Sequence, residues 1–236
     1  MFHLLFLDVF NIADKHINLF KVVGITNIMK TGSPDLDLFL GGGYDSSRVI
    51  MIYGESATGK TTLAKLATIN CAKKGKVVYL DVENSFNVQR FGQLAGENYE
   101  KLLENVLVLK VKDFDDQVEK LNKLERLENI NLVVVDTLGM FYRSELKQNV
   151  EAAHKKMLMQ MRILTGFARK GIGVLLTNQV YTNPATNEIC PVGGNMIKKW
   201  VGTLIELKKE PRKFFMKKPE EKDVKFNIKE KGVFTS

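Results

Sequence analysis

Cysteine and proline are scarce in this sequence, which has 2 cysteines and 5 prolines in 236 residues. Cys71 and Cys190 lie far apart and form no C-x-x-C pair, which argues against a disulfide scaffold and a zinc site. With 18 glycines and no repeat at a solenoid period, collagen-like and low-complexity architectures are also excluded. The cysteine usage fits a reducing compartment, so we expect a cytoplasmic protein.

Histidine is rare, and the sequence lacks a long hydrophobic run. His3, His16 and His154 are scattered and make no ligand set, and no Ser-His-Asp or Cys-His arrangement stands out. Met1–Phe10 is strongly apolar, but it carries Asp8, lacks a basic start and is too short to cross a bilayer. We therefore expect no membrane partner, and we expect this segment to pack against the core or a neighbouring subunit.

Hydrophobic residues make up 44% of the chain and charged residues 26%, which is enough for a globular core. The formal net charge is +8, and such a surplus favours a polyanionic partner such as nucleic acid or a phosphorylated ligand. The range 208–236 alone holds 10 Lys and Arg against 5 Asp and Glu. This basic region suits either phosphate contacts or a solvated rim.

Short apolar runs alternate with amphipathic segments along the chain. We predict strands at Arg48–Tyr53, Val77–Asp81, Val106–Val111, Asn131–Asp136 and Ile172–Thr177, and helices at Thr61–Lys74, Phe114–Leu127 and Ala152–Lys170. Because these strands are apolar on both faces, the pattern predicts an α/β fold with a parallel sheet covered on both sides. Shorter strands at 204–208, 213–216 and 224–228 predict an antiparallel extension of that sheet. Met157, Met159 and Met161 are interpreted as core-facing.

Gly54–Thr61 reads GESATGKT, which is the G-x-x-x-x-G-K-[ST] phosphate loop, between a predicted strand and a predicted helix. The glycines let backbone N–H groups converge on phosphate oxygens, and the following helix adds its positive N-terminal end. Lys60 is expected to reach the β- and γ-phosphates, and the Thr61 hydroxyl is expected to bind Mg²⁺. The predicted cofactors are thus ATP and Mg²⁺, and the predicted ATP-binding residues here are Gly54, Glu55, Ser56, Ala57, Thr58, Gly59, Lys60, Thr61 and Thr62.

Three polar residues follow buried strands, at the edge where open α/β sheets present ligands. Asp136 ends one such run and is expected to support Mg²⁺. Glu83 lies just past another strand, where it is either a surface charge or a carboxylate that orients water. Gln179 is either a capping amide or a contact to the γ-phosphate, and position alone does not choose.

A polar loop is predicted from Gln179 to Gly194, at a length typical of functional loops. Basic residues next to an aromatic follow it, which suits a nucleic-acid groove. The candidate DNA-binding residues are Arg143, Asn183, Asn187, Lys198 and Lys199.

The sequence resembles the RecA-type recombinase family, and within it a short archaeal paralogue of the RadA-type proteins. The resemblance covers roughly 25–233 and rests on several ordered motifs. These are KTGSPDLDLFLGGG at Lys30–Gly43, GESATGKT, YLDVEN around Glu83, LVVVDTLGMFYR through Arg143, LTNQV, and PVGGNMIKKW at Pro191–Trp200.

The resemblance implies roles for individual residues. Glu83 falls where the family places its water-activating glutamate, and Arg90 where a guanidinium stacks on the adenine. Gln179 falls on the γ-phosphate sensor, which with Lys60 completes the predicted catalytic set. The first DNA loop is expected near 143–150 and the second at 180–192. The implied domain division is a RecA-like ATPase core at 29–236, preceded by an N-terminal extension at 1–28. Met29 is an alternative start of the protein, and the extension would then be absent.

Departures from the family pattern point to a regulator. The chain has no room for the helix-hairpin-helix domain that precedes the core of RadA, its second loop is short, and Asn84 and Ser85 replace the usual Gly-Thr. The resemblance implies a recombination mediator that binds single-stranded or branched DNA and has weak Mg²⁺-dependent ATPase activity. Its implied partners are a RadA-type recombinase and a Holliday-junction resolvase. Phe10–Ala13 (FNIA) superficially resembles the family's polymerisation motif.

Two other functions are compatible with these motifs. An active strand-exchange recombinase would show DNA-stimulated ATP turnover, and a KaiC-type ATPase would act on protein partners without DNA. A nucleotide kinase is disfavoured, since no lid or acceptor-base signature is present.

Overall fold

The computed structural model of the chain describes residues 27–184 and 187–236. The expectations placed on Met1–Phe10, on Phe10–Ala13, and on His3 and His16 lie outside the described residues.

Helices and strands alternate along the first two-thirds of the described chain, as the sequence predicts. The first half contains β1 (Ile28–Met29), α1 (Pro34–Phe39), β2 (Tyr44–Asp45), β3 (Val49–Gly54), α2 (Lys60–Ala72), β4 (Lys76–Asp81), α3 (Val88–Ala95), α4 (Tyr99–Leu103), β5 (Val106–Lys110) and α5 (Phe114–Leu124). The second half contains β6 (Ile130–Asp136), α6 (Met140–Glu145), α7 (Val150–Arg169), β7 (Gly173–Asn178), β8 (Val180–Thr182), β9 (Ile189–Pro191), α8 (Gly194–Lys198), β10 (Val201–Lys209), β11 (Arg212–Lys218), β12 (Lys222–Lys229) and β13 (Gly232–Thr235).

Within the described residues, nine strands form one sheet in the order β13-β12-β11-β10-β3-β7-β6-β4-β5. The central strands are parallel, with β3 between β10 and β7, and β6 between β7 and β4. β11, β12 and β13 add antiparallel strands at one edge, which confirms the predicted extension. The first of the short C-terminal strands belongs to the parallel part, since β10 pairs parallel with β3.

Each face of the sheet carries a hydrophobic cluster, because successive residues of a strand point to opposite faces. On β3, Met51 and Tyr53 pack with α5, α6 and α7, whereas Ile50 and Ile52 pack with α2. This two-sided burial is why the strand sequences read as continuous apolar runs. None of the helices in 27–184 and 187–236 combines the length and apolar character needed to span a bilayer.

The methionines of α7 correct one prediction. Met157 and Met161 are fully buried, but Met159 is exposed. Residues four apart share a helix face, while the residue midway between them points away, so only two of the three can face the core.

Because β3, β4, β6 and β7 are parallel, their carboxyl ends lie together along one edge of the sheet, the edge formed by strand ends. Loops that leave these strands therefore meet there, as in other open α/β folds that bind ligands.

Candidate nucleotide-binding site

The phosphate loop connects β3 to α2, and two of its glycines have structural reasons to be glycine. Gly59 has φ 110°, a left-handed conformation, and a Cβ there would lie 2.6 Å from Cδ1 of Ile228. A Cβ on Gly54 would lie 2.4 Å from the Leu207 carbonyl oxygen on the adjacent β10. The loop is thus packed tightly against the C-terminal strands.

Side-chain donors hold the loop's carbonyl groups. Lys60 Nζ donates to the oxygens of Gly54 at 3.0 Å and Glu55 at 2.7 Å, and Thr58 Oγ1 donates to the Glu55 oxygen at 2.9 Å. Burial lowers the pKa of Lys60, and the nearby Glu83 and Asp136 carboxylates oppose this shift. The ammonium group therefore sits between the loop and two acidic side chains.

Asp136, at the carboxyl end of β6, is 2% exposed and bound by two hydroxyl groups. Tyr79 on β4 donates to Oδ2 at 2.6 Å, and Thr177 on β7 donates to Oδ1. Burial first, and then the Asp136 carboxylate, raises the pKa of Tyr79, so it stays a donor. The two neighbouring strands thus fix the predicted Mg²⁺-supporting carboxylate from both sides.

The three predicted catalytic residues lie around one cavity of about 240 Å³. Its lining residues are Gly54, Glu55, Ser56, Lys60, Glu83, Arg143, Gln179 and Val180. Gln179 Nε2 donates to Glu83 Oε1 at 2.8 Å, across 96 residues of sequence. The structure also adds Arg143, which the sequence placed among the DNA-binding candidates, to this group.

Arg90 lies on α3 and is bound to the turn between β12 and β13. Its Nη1 donates to the Glu230 oxygen at 2.9 Å and to Gln93 Oε1 at 3.0 Å, and its Nη2 donates to the Lys229 oxygen at 3.1 Å. Because Ile228 of β12 approaches Gly59, the turn, α3 and the phosphate loop form one rim. Thr61 and Thr62, at the start of α2, are both half-buried.

The segment after Gln179 differs from its predicted form as a long loop. β8 and β9 pair antiparallel, so much of the segment is a short hairpin. Asn183 and Asn187 close it, since the Asn187 N–H donates to the Asn183 oxygen at 2.8 Å. Asn187 has φ 55°, a conformation that asparagine adopts more readily than most residues.

The remaining DNA-binding candidates lie at the end of α8. Lys198 is half-buried, and its Nζ lies 3.7 Å from Cys190 Sγ on β9, whereas Lys199 is exposed. These lysines are therefore joined to the base of the hairpin, while Asn183 and Asn187 lie at its tip and Arg143 lies in the cavity.

Comparison with known proteins gives a match to the family model described as Rad51, over residues 22–235. The chain belongs to the Rad51 family. DNA repair and recombination protein RadB from Methanococcus maripaludis is 35% identical over 209 residues, covering 84% of this chain and 96% of that protein. RadB from Archaeoglobus fulgidus is 35% identical over 188 residues, covering 77% of this chain and 84% of that protein.

A solved structure supports the same assignment. The crystal structure of the RadB recombinase superposes with a TM-score of 0.74 at 29% identity, covering 87% of this chain and 98% of that chain. The RecA-like fold and the resemblance to the archaeal paralogue are confirmed. Membership of the Rad51 family implies nucleotide and Mg²⁺ use.

Two aspects of the site were missed from the sequence. Tyr79 and Thr177 fall inside the runs YLDVEN and LTNQV, but neither was given a role there. Tyr79 is two residues before Asp81, which pairs in register with Asp136. Arg143 was assigned to DNA because it falls in the family's first DNA loop. Its place in the cavity follows from α6 starting close to the end of β6.

Proposed function

We propose that this Rad51-family protein binds Mg·ATP at the phosphate loop and DNA nearby, and regulates homologous recombination in DNA repair. It would act as a mediator with weak ATPase activity and without strand exchange of its own. The observation that carries this proposal is the hydrogen bond between Gln179 and Glu83 in the cavity beside Lys60. The relatives' names, which specify DNA repair and recombination, supply the process.

The residues of the loop fit a nucleotide triphosphate. Gly54 and Gly59 let the loop pack closely against β10 and β12, and Lys60 provides a cation at the start of α2. Arg90 presents a planar guanidinium on the rim, where it would stack on the adenine. We propose this as the basis for ATP binding by residues 54–62 and Arg90.

Mg²⁺ would be held by the Thr61 hydroxyl and, through water, by Asp136. Both Asp136 oxygens already accept hydrogen bonds and the side chain is 2% exposed, so a water-mediated contact fits better than a direct one. Over the described ranges, no three His, Cys, Asp or Glu side chains cluster to hold a metal. The nucleotide phosphates would therefore complete the shell, and the ion would offset phosphate charge during transfer to water.

The Gln179–Glu83 contact supports a switch more than rapid hydrolysis. Glu83 would act as the base that orients water, but one of its oxygens is bound by Gln179 in this structure. Gln179 would release Glu83 when its amide turns to a phosphate oxygen. Because Gln179 directly precedes β8, that turn would move the base of the hairpin.

The neighbouring Asn178 ties this movement to the other end of the hairpin. Its Nδ2 donates to the Val192 oxygen at 2.9 Å, just after β9. Both ends of the hairpin are thus attached to the end of β7, next to the cavity. Nucleotide state would change DNA affinity through this attachment.

The DNA partner would be single-stranded or branched, with contacts from Arg143, Asn183, Asn187, Lys198 and Lys199. A RadA-type recombinase and a Holliday-junction resolvase are the proposed protein partners, from the family resemblance. We assign the whole ATPase core to 29–236 and treat 1–28 as an extension.

The proposal is tested by ATP turnover with Mg²⁺, with and without single-stranded DNA, and by DNA-binding anisotropy across a salt series. Lys60→Ala controls for contaminating ATPase. We expect salt-sensitive DNA binding with slow turnover that DNA does not stimulate. Gln179→Ala should retain ATP binding and lose the effect of ATP on DNA affinity.

Other outcomes select the alternatives. Strong stimulation of turnover by DNA would establish an active recombinase. DNA binding that is absent or insensitive to salt would indicate a KaiC-type ATPase that acts on protein partners. Wild-type coupling in Gln179→Ala would refute the switch.

A further inference from the structure

Arg212, the first residue of β11, contacts the phosphate loop although it lies more than 150 residues away in sequence. Its Nη1 donates to the carbonyl oxygens of Ala57 at 3.1 Å and Thr58 at 3.2 Å. The contact arises because β10 runs parallel to β3, with Leu207 in register with Gly54, and the turn into β11 then folds back beside the loop. None of the nucleotide-binding motifs contains Arg212.

These two carbonyl groups determine where two N–H groups point. A peptide unit is planar, and in its trans form the C=O and the following N–H project to opposite sides. When Arg212 holds the Ala57 and Thr58 oxygens on one side, the N–H groups of Thr58 and Gly59 face the other. In a phosphate loop, N–H groups aimed in this way bind the anion.

The loop needs such a restraint at this point. Ala57 has φ 61°, a left-handed conformation that is unfavourable for a residue with a Cβ. Ala57 is also exposed, so packing does not hold it in place. Arg212 supplies a charged donor at the carbonyl of this strained residue, and charge-assisted hydrogen bonds are the stronger kind.

Two cations, Lys60 and Arg212, bind four of the loop's carbonyl oxygens. Lys60 binds the oxygens of Gly54 and Glu55, and Arg212 binds those of Ala57 and Thr58. The backbone acceptors thus point at protein cations, and repulsion between carbonyl oxygens and phosphate oxygens is avoided.

We propose that Arg212 is a positioning residue for the nucleotide phosphates, which preorganises the N–H groups of Thr58 and Gly59 without touching the nucleotide. This inference rests on the proposed binding of ATP at the loop. It predicts a loss of affinity on removal of Arg212, because the loop must then be ordered during binding. Lysine would replace it only in part, since an ammonium is a point charge without the guanidinium's rigid fork.

The test measures ATP dissociation constants by calorimetry, with Mg²⁺, for the wild type, Arg212→Ala, Arg212→Lys and Arg212→Gln. We expect about tenfold weaker binding for Arg212→Ala, the scale of removing one charge-assisted hydrogen bond. Arg212→Lys should be intermediate and Arg212→Gln close to Arg212→Ala. The control is Arg169→Ala, which removes an exposed arginine at the end of α7, before the amino end of β7, and should leave ATP affinity unchanged.

Chemical rescue separates positioning from general stabilisation. Guanidinium ion added at non-denaturing concentration should restore ATP affinity to Arg212→Ala and have no such effect on Lys60→Ala or Arg169→Ala. If Arg212→Ala does not fold, the ranking of wild type, Arg212→Lys and Arg212→Gln carries the same test.

The outcomes distinguish the two proposals. If the wild type binds ATP and the folded Arg212 variants match it, the inference is overturned and the proposed function stands. If the wild type and Lys60→Ala both fail to bind ATP, the proposed function is wrong and the inference fails with it.

Discussion

Asp136 depends on the hydroxyl groups of Tyr79 and Thr177, which are its partners on the two adjacent strands. Tyr79→Phe removes one of them and leaves a buried carboxylate oxygen without its donor. A hydrogen bond to a charged group contributes about 1.5–3 kcal/mol, so we expect a loss of that size in the free energy of unfolding. Urea denaturation at neutral pH measures it.

Tyr44→Phe is the matched control for this substitution. Tyr44 is as buried as Tyr79, but its hydroxyl has no hydrogen-bond partner within the described residues. Its removal should leave stability unchanged or slightly raised, because an unsatisfied buried hydroxyl is unfavourable. Equal losses in both variants would mean that the phenol group is needed for packing and that the bond to Asp136 contributes little.

The candidate site residues that the sequence predicts belong to local patterns. Lys60 and Thr61 follow from the glycine spacing, and Asp136 from its place at a strand end. Arg212 and Thr177 were not found, because their roles come from strand neighbours that only the sheet order brings together. A contact such as that of Arg212 with Ala57 leaves no periodic signal in the sequence.

At the scale of elements, three segments pack together around Gly139: the start of α6, the end of β7 and the residue that follows β9. A Cβ on Gly139 would lie 2.4 Å from Asn178 Oδ1 and 2.9 Å from the Val192 side chain. Gly139→Ala should therefore displace one of these segments and lower the free energy of unfolding by about 1–3 kcal/mol. Urea denaturation tests this, and DNA anisotropy with and without ATP tests whether the hairpin stays coupled.

Gly166→Ala is also a glycine-to-alanine substitution, but we expect it to stabilise the protein. Gly166 lies inside α7, and a Cβ there would meet no atom within 4 Å among the described residues. Alanine should stabilise the helix by about 0.5–1 kcal/mol, because it loses less conformational entropy than glycine. A destabilised Gly166→Ala, or an unaffected Gly139→Ala, would contradict the packing described here.

The first turn of α5 yields a pH dependence. The hydrogen bond from Lys120, aided by the Lys112 backbone N–H, lowers the pKa of Asp116 below its ordinary value of 3.8. The unfolded chain then binds the proton more readily, so the stabilisation is complete above about pH 4 and is lost as pH falls through the folded pKa. Asp116→Asn should cost roughly 1 kcal/mol at pH 7, and the difference should shrink below pH 4.

Glu119→Gln serves as the comparison on the same helix. Glu119 also pairs with a lysine four residues on, but both side chains are more than half exposed. Exposed pairs of this kind contribute about 0.3–0.5 kcal/mol. A pH profile in which both variants behave alike would show that the Asp116 contacts do not persist in solution.

The elements themselves were predictable to different degrees. β3, β6, β7 and α7 follow from apolar runs and helical periodicity, and their predicted bounds differ from the observed ones by a few residues at most. The hairpin of β8 and β9 did not follow, because each strand has three residues, too few for an alternating pattern. Asn178, which lies outside the segment, fixes the hairpin to β7 through its hydrogen bond to Val192.

At the scale of the whole molecule, +5 of the net charge of +8 lies in the C-terminal range 208–236. The basic range 208–236 forms the end of β10 and all of β11, β12 and β13. Part of it is neutralised locally, since Lys213 pairs with Asp223, Lys217 with Glu206 and Lys222 with Glu220. Lys208 and Lys209 are exposed at the carboxyl end of β10, on the same edge as the phosphate loop.

If DNA is bound at this edge, the salt dependence of DNA affinity should depend on where a lysine lies more than on the net charge of the protein. We compare the double variants Lys208→Gln/Lys209→Gln and Lys73→Gln/Lys74→Gln, which change the charge equally. Lys73 and Lys74 are exposed just after α2, at the edge of the sheet opposite the loop. Removing one phosphate contact lowers the slope of log affinity against log salt by about 0.7 on single strands.

We therefore expect a shallower salt slope for Lys208→Gln/Lys209→Gln and a wild-type slope for Lys73→Gln/Lys74→Gln, measured by anisotropy between about 50 and 200 mM salt. Because phosphate contacts release counterions and a distant charge does not, the slope separates contact from long-range attraction. Equal changes in the two variants would mean that the overall field attracts DNA. An unchanged slope in Lys208→Gln/Lys209→Gln would mean that these two lysines make no phosphate contact and that the contacts come from other residues, such as those of the hairpin and α8.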